Sequence, residues 1–206
     1  TKLTLSIYTP SLYILSGKVE KYAEMFDDNK SLTQVGREQG IRRLTAINLM
    51  KRMESSVYSF KLTLTRIKDL IGTTIDTIDN YDKRSAMQLD LTDISDIDEF
   101  DGEDQNDDVF SFGKKVKIDL ADMDYTSWRQ SLVKDREILE SLAMKIDDIT
   151  GKHDSKLQKL LSVLSNKVTN PINEDNKKVI IFTAFADTAQ YLYDNVSAYI
   201  KKNFGL

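Results

Sequence analysis

The sequence predicts a mainly α protein: a helical bundle with a long amphipathic helix, a small β ribbon and one truncated βα unit at the C-terminus. Three observations predict it. Apolar residues from Leu49 to Ile78 recur every three or four positions. Further stripes of the same period start at Trp128 and Leu157. Only short stretches alternate as strands do, and one late run, Val179–Phe182, is apolar without alternation.

Taken in order, residues 2–8, "KLTLSIY", place Leu3, Leu5 and Ile7 on one side and Lys2, Thr4 and Ser6 on the other. That period of two predicts a half-buried strand, ended by Pro10. A short helix is expected around Gly17 to Phe26, then a loop at "DDNKS", Asp27 to Ser31. The long helix follows. Leu49, Met53, Val57, Phe60, Leu64, Ile67, Ile71, Ile75 and Ile78 form one stripe at 3.6-residue spacing. As a single helix it would span about 45 Å. A stripe so long and narrow requires partner helices. Ser55 and Ser56 are poor helix formers in its middle; they suit either a close helix approach or a backbone contact with a ligand.

A short strand is expected within residues 109–123, where Val116, Ile118 and Leu120 alternate. With residues 2–8 it would make an antiparallel ribbon with one wet face. Asp124 or Thr126 caps the next helix, whose stripe is Trp128, Leu132, Leu139, Leu142, Ile146 and Ile149, with Gly151 as its stop. Asp154 caps another, carrying Leu157, Leu160, Leu161, Leu164 and Val168. Pro171 and "NEDNK" form a linker. Val179–Phe182 then reads as a strand buried on both faces, as in a parallel sheet. Asp187 or Thr188 caps the last helix, which carries Leu192, Val196 and Tyr199 and runs to Gly205. The alternating strands are unsuitable neighbours for a doubly buried strand. The expectation is therefore a piece of a larger protein: residues 1–170 a helical insertion and residues 171–206 the first strand and helix of a further α/β domain.

Composition narrows the function classes. Hydrophobic residues make up 40% of the chain, enough for a real core. No apolar run approaches the ~20 residues of a membrane helix, and a cytoplasmic location is expected. There is no cysteine, so disulfides and thiolate metal sites are excluded. The one histidine, His153, stands between Lys152 and Asp154 at a helix start and is expected to be solvated. The eight glycines fit neither a phosphate loop nor a dinucleotide fingerprint. No catalysis, metal or cofactor is expected from these residues alone.

The net charge of −4 conceals an asymmetry. Ten acidic and no basic residues lie between Asp90 and Asp108; without them the chain would carry +6. Residues 90–108 are expected to be a flexible, solvated insert, the alternative being a mimic of nucleic-acid charge over a basic groove. The stretch "DEFDGED" is no calcium loop, because a glycine at its sixth position puts Ile97 where a carboxylate is needed. From Arg37 to Lys68 eight basic residues face two glutamates. Lysine and arginine on phosphate dominate sequence-independent DNA affinity, which makes Lys51 and Arg52 candidates. The competing reading is a solvated helix face, since Lys51, Arg52, Lys61 and Arg66 spread around the non-apolar arc.

Two stretches carry a family resemblance. "NLMKRMESSVYSF", Asn48 to Phe60, resembles the "LLKRLESS…aF" signature of bacterial Swi/Snf-related superfamily-two DNA/RNA helicases, where it lies between the motor lobes. "DSKLQKLLSVL", Asp154 to Leu164, followed by "KKVIIFTAFADTAQYL", Lys177 to Leu192, resembles the start of the second lobe, with a helix before the "IFT" strand of motif IV. Together they touch about a fifth of the chain. The resemblance implies an ATP-dependent helicase or translocase as parent. ATP and magnesium would be held by parts of the motor outside residues 1–206. This chain would couple lobe closure to contact with DNA, expected to be duplex. It also implies that motif IV residues Thr183 and Phe185 face nucleic acid; packing and strand termination are the competing roles. A helical protein–protein interaction scaffold with no motor parent is the alternative. The exposed edge of strand 179–182 would, in this chain alone, pair with a second copy or borrow residues 2–8.

Overall fold

A computed structural model describes residues 2–26, 34–81, 88–90, 117–174 and 176–205. Within them lie six α-helices: α1 Val19–Phe26, α2 Gln34–Ser55, α3 Val57–Asp79, α4 Tyr125–Asp147, α5 Ser155–Thr169 and α6 Ala186–Phe204. Two three-residue strands, β1 Gln88–Asp90 and β2 Lys117–Asp119, pair antiparallel with Leu89 opposite Ile118. The mainly α class is what the periodicity predicts.

Helix α3 is the spine, packing against α4, α2 and α6. Its stripe of Leu64, Ile67, Ile71, Ile75 and Ile78 is buried against Trp128, Leu132 and Leu139 of α4, with Leu5, Ile7, Tyr22, Ile118 and Leu120 closing the core. Leu157, Leu161 and Leu164 are the buried face of α5, which packs on α6. Caps fall largely where expected. Asp124 accepts from Ser127 N at 3.1 Å, and Asp154 from Leu157 N at 3.0 Å. Gly205 ends α6 in the left-handed region, φ 67°, a conformation glycine adopts without steric cost.

The single helix expected over Leu49–Ile78 is two. Ser56 leaves helical geometry at φ −155°, ψ 146° and caps α3, its Oγ accepting from Ser59 N at 3.0 Å. A serine pair is a common place for a kink, because short hydroxyl side chains compete with the helix for backbone hydrogen bonds. The apolar stripe is divided as a result: Leu49 is buried but Met53 is exposed.

Residues 2–8 form no strand. Ser6–Tyr8 is a 3₁₀ turn, and Leu5 to Tyr8 are all buried in succession, so the alternation is lost. The cause is Asp135 on α4, only 1% exposed. Its carboxylate accepts from Thr4 N (2.7 Å), Thr4 Oγ1 (2.9 Å), Ser6 N (2.7 Å) and Ser6 Oγ (2.8 Å). Trp128 Nε1 donates to Ser6 O at 3.0 Å. These bonds replace a ladder. They also hold Leu5 at φ 52°, a left-handed conformation that costs a non-glycine residue roughly 1–2 kcal/mol.

The ribbon therefore has other partners than expected. The alternation at Ile118 and Leu120 is real, both being fully buried, but the strand pairs with residues 88–90 and not with residues 2–8. Residues 27–31, Val116 and all of the acidic run after Asp90 lie outside the described residues.

The strand expected at Val179–Phe182 is not formed either. Among the described residues it has no ladder partner and takes no regular secondary structure. Its side chains are 46%, 79%, 40% and 90% exposed in order. A strand is a property of a pair, and an apolar sequence alone cannot supply the second member. The helix expected after it does form, as α6.

Candidate functional site

Arg52 stands in the last turn of α2, where a cation complements the helix dipole. It is 3% exposed. Its Nη1 donates to Asp187 Oδ2 at 2.8 Å and to Ser59 Oγ at 3.0 Å. Its guanidinium lies 4.7 Å from the centroid of the Phe185 ring, within cation–π range. Asp187 belongs to the first turn of α6, where a carboxylate complements the opposite end of a helix dipole. A second arginine reaches it: Arg66 of α3 donates through Nη1 at 3.3 Å and Nη2 at 3.4 Å. One carboxylate is thus shared by arginines from two helices.

Beside the ion pair is a cluster of three hydroxyls. Thr188 Oγ1, in a buried residue, bonds Ser55 Oγ at 2.9 Å and Ser56 Oγ at 3.1 Å. This answers the question raised by the two serines: they receive the first turn of α6. One helical turn on, Tyr191 stacks on Tyr58 of α3, centroids 5.2 Å apart and planes 13° apart. The Tyr191 hydroxyl donates to Asp154 Oδ2 at 3.0 Å. Burial, then that carboxylate, push the phenol up to about 12, so it stays a donor at neutral pH. The ammonium of Lys156 donates to the carbonyl of Glu54.

A cleft of about 280 Å³ opens at this junction, with Ser55, Ser56, Thr183, Thr188 and Phe182 among its walls. Thr183 Oγ1 accepts from Phe185 N at 3.4 Å.

Of the four residues singled out by sequence, the structure brings Arg52 and Phe185 into contact and sets Thr183 on the adjoining cleft. Lys51 lies on the exposed side of α2. Arg52 is not part of a solvated helix face: its guanidinium points inward and is held by a carboxylate. Asp187 and Thr188 do not cap α6; the cap position is Phe185, which offers no side-chain bond, and both side chains are engaged by α2 and α3. The partnership of Arg66 with Asp187 has no signal in the sequence, since the two are 121 residues apart.

The arrangement clamps α2, α3 and α6 together. Among the described residues no group of three His, Asp or Glu could hold a metal ion. His153 is exposed, its Nδ1 within 3.1 Å of the Asp148 carbonyl. No helix of the described residues is long and apolar enough to cross a membrane. Comparison with protein-family models, with curated proteins and with solved structures yields no match.

Proposed function

We propose that this chain is the inter-lobe helical region and the start of the second motor lobe of a Swi/Snf-related, ATP-dependent DNA helicase or translocase of the cytoplasm. Its role is to couple lobe closure to contact with DNA. One observation carries the reading. The two stretches that bear the resemblance, Asn48–Phe60 and Lys177–Leu192, meet at a single cluster in which Arg52 holds Asp187 across 135 residues of sequence. Two motifs that act together in a motor are expected to touch. The exposed apolar run Val179–Phe182 supports the same reading, because further strands of a motor lobe would cover it. ATP and magnesium belong to the parent, and these residues do not turn over nucleotide. In this reading Lys51 meets phosphate directly, Thr183 lines the cleft, Phe185 faces nucleic acid beside it, and Arg52 positions Phe185.

The test is fluorescence anisotropy of a labelled DNA duplex titrated with the chain. Binding that weakens between about 50 and 200 mM salt, and weakens further in Lys51→Glu, is expected. No binding at low salt up to about 100 µM, the weak end of non-specific DNA affinity, would overturn it.

A second reading, a helical protein–protein interaction scaffold, is favoured by one feature. Ile47, Met50 and Met53 expose apolar side chains on one stretch of α2. A partner held there would bind with little dependence on salt.

A further inference from the structure

We infer that the break at Ser56 is a hinge between α2 and α3, and that the first turn of α6 is the latch that sets its angle. The hinge is one residue. Ser56 alone takes extended dihedrals between two regular helices of 22 and 23 residues. Single element-terminal residues of this kind absorb the backbone change in hinge motions. Nothing in its covalent structure fixes one angle between the limbs, so the angle is set by what holds them: the packing of α2 on α3 and the hold of Glu38 on the N-terminal turns along their length, and a separate set of contacts at the pivot.

The bridge is α6. Asp187 bonds Arg52 on the α2 limb and Arg66 on the α3 limb. Thr188 bonds Ser55, the last residue of α2, and Ser56, the pivot itself. Phe185 lies against the Arg52 guanidinium, and Tyr191 against Tyr58 on α3. Three of these side chains, Phe185, Asp187 and Thr188, lie within four consecutive residues, with Tyr191 one turn on. Arg52 carries a charge in a nearly closed site, so parting it from the Asp187 carboxylate is costly; the latch has a held state and a released state, with little between.

The latch is also placed to be moved. It begins three residues after Phe182, the last of the exposed apolar run. Drawing residues 179–182 into a sheet pulls directly on Phe185. The hinge angle is therefore coupled to whether that run has a strand beside it. This holds for a motor lobe or for any other partner, and does not rest on nucleic acid binding.

The absence of cysteine makes the test clean. Spin labels at Ala46→Cys on α2 and Asp76→Cys on α3, both exposed positions, report the hinge by electron–electron distance measurement. One narrow distance distribution is expected with the latch intact. Adding Asp187→Ala with Thr188→Val should widen it and move it to longer distance, toward the ~45 Å of thirty residues of straight helix. Helix content by circular dichroism should stay the same. An unchanged distribution at unchanged helix content overturns the latch. If the double change prevents folding, Asp187→Asn replaces it, keeping shape and most hydrogen bonds while removing the charge. It too must widen the distribution, and a width equal to the parent's overturns the proposal.

Discussion

Glu38 is the most informative single group to perturb. It lies on α2, is 4% exposed, and fastens that helix to the N-terminal turns. Its Oε2 accepts from Ser11 N at 3.1 Å and Ser11 Oγ at 2.5 Å; its Oε1 accepts from Gln34 Nε2 at 3.1 Å. Those bonds favour the carboxylate, but burial outweighs them and pushes the group from 4.5 up to about 7. The folded chain then keeps a proton up to about pH 7 that the unfolded chain releases near 4.5. In that window the native state binds more protons, so stability falls as pH rises, fully present below 4.5 and lost by the time pH has passed 7. At about 1.4 kcal/mol per unit, the whole span is bounded by about 3–4 kcal/mol. Glu38→Gln removes the charge and keeps an acceptor for Ser11, with the Gln34 amide turning to accept. Urea unfolding followed by Trp128, the only tryptophan and fully buried, gives stability at several pH values. The variant should gain on the parent by up to about 3–4 kcal/mol between pH 4.5 and 8. Parallel stability–pH curves would refute the reasoning, because every other titrating group is common to both proteins.

Asp135→Ala should cost about 3–5 kcal/mol in thermal or urea unfolding, since it strands the Thr4 and Ser6 donors it holds; a loss under about 1 kcal/mol would mean that residues 2–8 are held by packing alone. Ser56→Ala removes the α3 cap and one bond to Thr188, and should cost about 1–2 kcal/mol by the same measurement, with no effect counting against the capped break. Ile181→Lys should abolish any concentration-dependent self-association seen by sedimentation, because a charge cannot be buried in a strand interface without a partner; association that persists unchanged would place the contact elsewhere.

Periodicity by itself determined which stretches are helical and which face of each is apolar, but not the break at Ser56. The stripes of α3, α4 and α5 are largely buried where their spacing put them, and Asp124, Asp154 and Gly205 end or begin helices as read; α4, however, stops at Asp147, short of Gly151, and leaves Ile149 exposed beyond its end. These are local matters: which face is apolar, and which residue can satisfy a free backbone group, depend on neighbours within a turn. Only the tertiary structure decided the rest. The alternation of residues 2–8 was genuine, yet Asp135, 129 residues from Ser6, took the donors a strand would have used. Residues 179–182 had the composition of a strand and found no ladder. In the candidate site, Arg52 and Phe185 were legible as residue types in the right stretches, while Asp187 passed for a cap and Arg66 for one cation among many. A helix closes its hydrogen bonds within its own sequence. A strand, an ion pair or a shared carboxylate needs a second member, and no spacing along the chain reveals which distant residue will arrive to provide it.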